Sequence, residues 1–330
     1  IEASKVFSKN LMQKYGIPTA DYAVFDDPAK VIEYVESKNK YPVVSKADGL
    51  ALGKGVLICQ NYEDVVAGVK EIMLDKKFGA SGNHVVVEEF LTGPEVSVLS
   101  FCDGKTVKPM VSSMDHKRAL DGDQGLNTGG MGTVAPNPYY TQEVADRCMK
   151  EIFLPTVAAM QAEGCPFKGC LYFGLMLTPD GPKVIEYNCR FGDPETQVVL
   201  PLLESDLLTV MQATTNGTLA ETEVKFRDGA AACVILASGG YPLSYEKGKE
   251  ITGLTEGQLP DCAGVTVYHA GTALKDGVLV TSGGRVLGVT ATADTLAEAL
   301  KSAYAASENI HFDKLHKRSD IGARALAAMQ

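Results

Sequence analysis

Alternating apolar and polar positions over the first 86 residues predict a small α+β unit. The predicted elements are a helix up to about Tyr15, a helix over 28–39 and strands over 41–46 and 56–60. Asn61 and Asp64 fit a capping box, in which the two side chains accept hydrogen bonds from free backbone amides at a helix start. A third helix is therefore expected to begin at this point.

The rest of the pattern predicts a larger mixed unit and a β-rich unit. Apolar runs predict strands at 169–178 and 182–188, whereas 115–138 is rich in loop-forming residues. A helix predicted over 141–164 should be split at Pro155, because the proline ring removes a backbone donor. We expect four parts: a leading helix (1–16), a small unit (17–86), a main unit (87–222) and a C-terminal β-rich unit (223–330).

Composition excludes several classes of protein. The formal net charge is −10, whereas a nucleic-acid-binding protein needs a basic face to neutralise phosphates. No apolar run approaches the roughly 20 residues that cross a bilayer, so no membrane span is predicted and a cytoplasmic location is expected. The eight cysteines are scattered without a C-x-x-C pair. We expect buried thiols in a reducing compartment, and neither a zinc site nor a disulfide framework.

The glycine-rich loop that follows the 41–46 strand is a candidate phosphate site. It carries Lys46 at its start and Lys54 between Gly53 and Gly55. Glycine lets backbone amides approach an anion closely, and lysine supplies positive charge to a polyphosphate. The order of residues is not that of a P-loop, and similar turns also serve a purely structural role.

The strand near residues 84–91 ends in acidic residues. Glu88 and Glu89 follow an apolar run, and Glu95 comes shortly after them. Such a segment can offer a backbone edge to an adenine and carboxylates to a ribose. A solvated acidic turn explains the same pattern equally well.

Residues 115–132 are dense in polar and glycine residues. They include Asp115, His116, Lys117, Arg118, Asp121, Asp123, Asn127, Thr128, Gly129 and Gly130. Long ordered loops usually bind a ligand, so we interpret this segment as a binding loop.

Glu186 and Asn188 are candidate metal ligands. Residues two apart on a strand point to one face, and carboxylate and amide oxygens suit Mg²⁺ that also binds substrate phosphates. Such a pair alone is more often structural. Together with Lys46 and the glycine-rich loop, it favours a metal site.

Five ordered motifs carry a resemblance that covers essentially the whole chain. They are VVSKADGLALGKGV, VVVEEFLTGPE, DHKRALDGDQGLNTGGMG, GPKVIEYNCRFGDPETQ and YHAGT followed by TSGGRVLGVT. Together they resemble phosphoribosylamine–glycine ligase, also called glycinamide ribonucleotide synthetase, of the ATP-grasp superfamily. The fold that this implies is α+β, with a small lid over a larger mixed sheet, ATP between them and a C-terminal β-rich domain.

The resemblance implies a ligase of de novo purine synthesis. ATP would phosphorylate the carboxylate of glycine, and the amine of 5-phosphoribosylamine would then attack the glycyl phosphate. The products would be glycinamide ribonucleotide, ADP and phosphate. A monomer is expected, with no nucleic-acid or membrane partner.

The resemblance also implies roles for individual residues. Lys5 and Lys46 would contact the ATP phosphates, and the loop over 48–55, with Gly53, Lys54 and Gly55, would cover them. Glu88, Glu89, Leu91 and Glu95 would line the nucleotide pocket, and Glu186 and Asn188 would bind Mg²⁺ or Mn²⁺. We further expect Arg190 to contact a phosphate or the acyl phosphate, and Asp115, Asp123, Asn127, Thr128 and Gly129 to form the acceptor-substrate wall.

One departure from the family concerns the front of the chain. Members normally begin with a further domain of about a hundred residues that helps to hold phosphoribosylamine, and the 330 residues lack it. Two alternatives therefore stay open: an inactive ATP-binding fragment of the ligase, and another ATP-grasp carboxylate–amine ligase. The second should lack the DHKR and NTGGMG motifs.

Overall fold

A computed structural model describes residues 1–49, 55–260 and 262–330, and these residues form two compact units. Unit 1 contains Ile1–Glu95, Cys102–Val107 and Gln142–Arg190, and unit 2 contains Val96–Phe101, Lys108–Thr141 and Phe191–Gln330. Two candidate phosphate residues, Gly53 and Lys54, lie outside the described residues. The four-part division of the sequence stays a prediction.

Helices occur in both units. The α-helices of the described residues are α1 (Lys5–Lys14), α2 (Pro28–Lys38), α3 (Tyr62–Val69), α4 (Gln142–Cys148), α5 (Leu154–Ala162), α6 (Thr196–Val199), α7 (Leu207–Asn216), α8 (Leu296–Ser307) and α9 (Ala323–Ala328). Two π-helical turns cover Lys70–Leu74 and Met149–Phe153, and 3-10 turns cover Gly79–Gly82, Asp121–Asp123, Leu200–Leu202 and Leu219–Glu221.

The described residues also form 18 strands, many of them in uninterrupted runs along the chain. They are β1 (Tyr22–Phe25), β2 (Val43–Ala47), β3 (Val56–Cys59), β4 (Val85–Glu89), β5 (Glu95–Asp103), β6 (Val107–Pro109), β7 (Met114–Asp115), β8 (Arg118–Leu120), β9 (Gln124–Asn127), β10 (Gly132–Ala135), β11 (Lys168–Thr178), β12 (Gly181–Asn188), β13 (Ala230–Ser238), β14 (Val265–His269), β15 (Thr272–Lys275), β16 (Val278–Thr281), β17 (Arg285–Ala293) and β18 (Leu315–His316).

Unit 1 contains an antiparallel sheet in the order β1-β4-β2-β3. Apolar side chains of α2 and α3, among them Val31 and Val65, pack with sheet residues such as Val85 in one buried cluster. The predicted cap of α3 is confirmed, because Asn61 Oδ1 accepts a hydrogen bond from the Asp64 amide at 2.9 Å. The sheet therefore holds Lys46 at the end of β2 and Glu88 near the end of β4.

The β11–β12 hairpin of unit 1 contains a β-bulge. Gly174 pairs with Glu186 and Leu175 pairs with Val184, so the register passes over Ile185. A bulge bends its strand and can re-aim the side chain that follows. Glu186 lies directly after this bulge, and a Cβ placed at Gly174 would lie 3.0 Å from its Cγ.

The predicted break in the helix near Pro155 is confirmed. The helical stretch from Gln142 to Ala162 is interrupted by the π-helical turn Met149–Phe153, and Pro155 is in the first turn of α5. Proline lacks the amide that would continue the α-helical pattern, so the wider turn is placed immediately before it.

Unit 2 contains an antiparallel sheet in the order β14-β17-β13-β10-β7, with β18 also paired to β13. Helix α8 packs against β13 and β17. Its Thr295 cap accepts a hydrogen bond from the Glu298 amide at 3.3 Å, as the sequence predicts. Every residue of β13 is buried, so this strand is the centre of the unit.

Residues 115–138, predicted to be loop-rich, contain several short strands that the sequence did not indicate. They contribute β10, the whole hairpin formed by β8 and β9, and part of β7. The four residues of β10 are all buried, and short strands of this kind lack the length that makes a periodic pattern visible. The segment interpreted from the sequence as a binding loop therefore contains β10 and part of β7, at one end of the unit 2 sheet, and the separate β8–β9 hairpin.

The cysteines depart in part from the expectation of buried thiols. All eight are free, and five are buried, but Cys165 is exposed and Cys189 and Cys262 are half-buried. None of the helices in the described ranges combines the length and the apolarity that crossing a membrane requires.

Candidate functional site

Two lysines share one buried carboxylate in unit 1. Glu88 Oε2 lies 2.9 Å from Lys46 Nζ and 3.3 Å from Lys9 Nζ, and all three side chains are buried. Lys46 Nζ also donates to the carbonyl of Ile185 at 3.2 Å, which the bulge leaves outside the register of the hairpin. The predicted phosphate residue Lys46 and the predicted pocket residue Glu88 are thus in direct contact.

Lys5, the first residue of α1, contacts the start of the glycine-rich loop. Its Nζ donates to the carbonyl of Gly49 at 3.0 Å, and Asp48 Oδ1 accepts hydrogen bonds from the Ser4 hydroxyl and the Val6 amide. Burial and the positive charge of Lys46 lower the pKa of Lys5. Gly55, at the other end of the loop, is buried, and its carbonyl accepts the amide of Ala47.

The remaining predicted pocket residues lie at the C-terminal end of β4 and in the segment that follows it, where side chains are more exposed. Glu89 is half-buried, with Lys40 at 3.8 Å and Lys183 at 3.9 Å. Leu91 is half-buried, and Glu95 is exposed at the first position of β5. These three side chains are therefore more accessible than Glu88.

The predicted metal ligands lie at the end of β12 in unit 1. Glu186 is half-buried. Its carboxylate has no hydrogen bond or ion pair with the described part of the chain and attracts the Lys5 ammonium electrostatically, so its oxygens are available to a cation. Among the described residues, Asn188 Oδ1 accepts a single long hydrogen bond, of 3.4 Å, from Arg190. Arg190 is exposed, and its Nε lies 3.7 Å from Glu2.

These donors fit a cation that is also held by phosphate. Across residues 1–49, 55–260 and 262–330, no group of three or more His, Cys, Asp or Glu side chains is placed to bind a metal ion. Mg²⁺ is typically bound by one or two carboxylates together with substrate phosphates and water, and it needs no complete protein cage. Glu186 and Asn188 match that donor set.

The predicted acceptor wall lies in unit 2. Asp115 Oδ1 accepts the His116 amide at 2.7 Å, and Thr128 fixes the turn that follows β9 by donating to the carbonyl of Lys117 at 2.9 Å. Asn127 and Gly129 are exposed. A Cβ at Gly130 would lie 2.6 Å from Asp115 Oδ1, so four of the five predicted wall residues lie around one turn, whereas Asp123 lies in a separate ion-pair cluster.

Arg285 holds that turn from β17. Its Nη1 donates to the carbonyls of Gly129 and Asp193, each at 2.8 Å, and its Nη2 lies 3.1 Å from Asp193 Oδ2. Gly130 has a φ of 117°, and a Cβ at this position would lie 2.5 Å from Pro194 Cδ. Only glycine fits such a backbone at this spacing.

The ion-pair cluster around Asp123 lies beside a buried arginine. Arg318 is 1% exposed. It donates to Asp123 at 2.9 Å, to the carbonyl of Arg118 at 3.1 Å and to both oxygens of Asp320 at 2.7 and 2.8 Å. The exposed Arg324 reaches Asp123 from the other side at 3.3 Å. This arginine clamp joins the β8–β9 hairpin to the segment before α9.

His116 serves the fold of unit 2 as a neutral group. It is 1% exposed, its Nδ1 lies 3.0 Å from the carbonyl of Gly132, and its Nε2 accepts the amide of Gly322 at 3.1 Å. Burial lowers the pKa of His116 to about 4, with a further contribution from the charge of Arg318. A proton on Nε2 would face another donor, so protonation opposes folding.

Stability should therefore decline as the pH falls below about 6.5, the ordinary pKa of histidine. Between pH 6.5 and about 4 the unfolded chain binds a proton that the folded chain does not, which removes about 3 kcal/mol over that interval. Urea unfolding at several pH values measures the slope. His116→Gln, which cannot titrate, should have a shallower slope, and equal slopes would contradict the assignment.

Sequence reasoning missed Lys9, Arg285 and Arg318. Lys9 had a detectable signal, because it lies three positions before the buried Met12 on the apolar face of α1. Arg285 begins β17 and Arg318 follows β18, but no local signal marked either residue, because their contacts join distant parts of the chain.

Comparisons with known proteins identify the family of this chain. Residues 3–196 match the phosphoribosylglycinamide synthetase ATP-grasp (A) domain, and residues 231–324 match the C domain of the same family. The chain is 48% identical to phosphoribosylamine–glycine ligase of Clostridium acetobutylicum over 98% of its own length and 76% of that protein. It is 49% identical to the trifunctional purine biosynthetic protein adenosine-3 of Gallus gallus over 99% of its length.

The structural comparison gives the same result. The crystal structure of phosphoribosylamine–glycine ligase from Thermotoga maritima superposes with a TM-score of 0.88 at 39% identity, covering 97% of this chain and 78% of that one. The expected ATP-grasp fold is confirmed. The chain spans about a third of the trifunctional relative and about three quarters of the single-function ligase. The chain therefore belongs to the phosphoribosylamine–glycine ligase family of ATP-grasp enzymes.

Proposed function

We propose that this chain catalyses the ATP-dependent joining of glycine to 5-phosphoribosylamine in de novo purine synthesis. The products are glycinamide ribonucleotide, ADP and phosphate. Family membership supports the ligase chemistry, and the ATP-grasp domain implies ATP with a divalent metal ion. The structural observation that carries the proposal is that Lys46 contacts the Ile185 carbonyl, while the carboxylate of the next residue, Glu186, has no hydrogen bond or ion pair with the described residues and attracts the Lys5 ammonium electrostatically.

Unit 1 supplies the nucleotide side of the proposed reaction. Lys46 and Lys5 bring positive charge to the phosphates, and Glu88 holds the Lys46 ammonium in place. Gly53, Lys54 and Gly55 belong to the loop proposed to cover the phosphates. Glu89, Leu91 and Glu95 are proposed to line the nucleotide pocket. Because phosphoryl transfer needs mainly positioning and charge neutralisation, no protein nucleophile is required.

Glu186 and Asn188 are proposed to hold the metal ion, either Mg²⁺ or Mn²⁺. Such an ion, when bound, neutralises negative charge on the phosphates during transfer. The bulge at Ile185 and the small residue Gly174 give Glu186 room to reach a ligand. Arg190, exposed at the end of the same segment, is proposed to contact a phosphate or the acyl phosphate.

Unit 2 is proposed to supply the acceptor side. Asp115, Asn127, Thr128 and Gly129 present an acid, an amide, a hydroxyl and a backbone turn around one position. Asp123 is proposed to complete the wall, and its carboxylate also pairs with Arg318 and Arg324. In the proposed second step the substrate amine forms a bond to the glycyl carbon as phosphate leaves. A monomer in the cytoplasm is part of the same proposal.

An assay of ADP release tests the proposed function. The protein is incubated with ATP and glycine, with and without freshly generated 5-phosphoribosylamine, in Mg²⁺ or Mn²⁺, and nucleotide binding is followed separately by calorimetry. ADP release that requires both substrates is the expected result. Nucleotide binding without turnover would contradict the ligase assignment, and turnover with a different amine would indicate another ATP-grasp ligase.

A further inference from the structure

Lys9 is a buried cation to which the sequence analysis assigned no role in the nucleotide site. It comes from α1, is 2% exposed, and lies 3.3 Å from the carboxylate oxygen of Glu88 that also contacts Lys46. Its other contacts are the Thr19 hydroxyl at 2.7 Å and the Ala20 carbonyl at 3.2 Å. A buried charge persists only where such partners compensate its loss of hydration.

The Lys9–Glu88–Lys46 cluster carries an excess positive charge. Two ammonium groups face one carboxylate, so Glu88 does not fully neutralise Lys46. Burial lowers the pKa of Lys9 to about 8, so its ammonium is mostly charged at neutral pH. Without the Lys9 ammonium, the negative charge of Glu88 would act on Lys46 only. Less positive charge would then remain on this cluster for an incoming phosphate.

Lys9 also fixes the strand that carries the metal ligand. Thr19 Oγ1, which accepts the Lys9 ammonium, donates in turn to the carbonyl of Val184 at 2.7 Å. The next carbonyl along β12, that of Ile185, accepts Lys46 at 3.2 Å. Two adjacent carbonyls immediately before Glu186 are thus held by groups that both depend on Lys9.

We propose that Lys9 is a positioning residue for nucleotide binding, which holds Glu88 against Lys46 and, through Thr19, holds the strand that carries Glu186. This inference rests on the proposed function, because it concerns the same nucleotide site. A buried ion pair with a purely structural role would alter the stability of the protein and leave the affinity for nucleotide unchanged.

A double-mutant cycle in nucleotide affinity tests this inference. The dissociation constant of MgATP is measured by calorimetry for the wild type, Lys9→Met, Glu88→Gln and the double variant. We expect Lys9→Met to weaken binding at least tenfold and the double variant to be weaker by clearly less than the product of the single effects, because contacting residues couple. Wild-type affinity in Lys9→Met, or effects that multiply, would overturn the inference.

Two further variants keep the test decisive. Lys14→Met removes an exposed lysine of the same helix, which pairs with Glu163, and should leave MgATP affinity unchanged. Thr19→Val keeps every charge and nearly the same shape, and should weaken binding severalfold. Should Lys9→Met fail to fold, wild-type affinity in Thr19→Val would overturn the inference.

The outcomes separate this inference from the proposed function. If the wild type fails to bind MgATP, or if Lys46→Met binds it as tightly as the wild type does, the proposed nucleotide site itself is wrong. If Lys46→Met weakens binding while Lys9→Met and Thr19→Val do not, the site stands and only the role of Lys9 is refuted.

Discussion

Glu186→Ala is expected to lower metal-dependent ATP turnover to near background, by about a thousandfold, with little change in stability. Removing a preorganised group that stabilises transition-state charge commonly costs a factor of this order. The fold should persist, because the Glu186 carboxylate has no hydrogen bond or ion pair with the described residues. Turnover is measured as ADP release, and stability is measured by urea unfolding.

Lys46→Ala should give the same loss of turnover for a different reason. The variant removes the phosphate-directed charge, while Lys9 still compensates the buried Glu88 carboxylate, and the protein should therefore remain folded. Asp180→Ala, at the exposed tip of the same hairpin as Glu186, is the matched control and should retain full activity. Wild-type rates in Glu186→Ala or Lys46→Ala would refute the site assignment.

Arg318→Met is expected to destabilise the protein by about 3 kcal/mol. The arginine clamp satisfies two carboxylates and one carbonyl, and breaking a buried ion pair by removing one partner costs roughly 3–5 kcal/mol. The lower end of that range applies, because Asp123 and Asp320 are partly exposed and regain some hydration. The loss is measured as a lower midpoint of urea unfolding.

A second arginine provides the control for this prediction. Arg324 also contacts Asp123, but its side chain is 59% exposed, and exposed ion pairs contribute at most about 1 kcal/mol. Arg324→Met should therefore unfold close to the wild-type midpoint. Equal losses in the two variants would show that burial of Arg318 does not account for its contribution.

Local patterns in the sequence predicted the structural features that are determined by residues close together in the chain. The cap at Asn61, the break near Pro155 and the strand that ends at Lys46 all follow from backbone chemistry within a few positions. Glu186 and Asn188 could be singled out because their spacing places both on one strand face. The ordered motifs then indicated the family, which the comparisons confirm.

The missed features depend on contacts between distant residues. No local rule indicates that Lys46 donates to the carbonyl of Ile185, 139 positions later, or that Arg318 reaches the β8–β9 hairpin. The bulge at Ile185 was also missed: Val184 and Ile185 are consecutive apolar residues that interrupt the alternation, but the irregularity itself is defined by the pairing of β12 with β11. Short strands such as β10 are also missed, because four residues are too few to show a periodic pattern.

The arginine clamp affects the order in which parts of the chain can fold during synthesis. Every residue of unit 1 precedes position 191, whereas the groups that hold Asp121 and Asp123 come from Arg318, Ser319 and Arg324. Domains generally fold as they emerge from the ribosome, N-terminal parts first. Unit 1 can therefore become ordered early, whereas the β8–β9 hairpin gains its contacts to Arg318, Ser319 and Arg324 only after the last part of the chain is made.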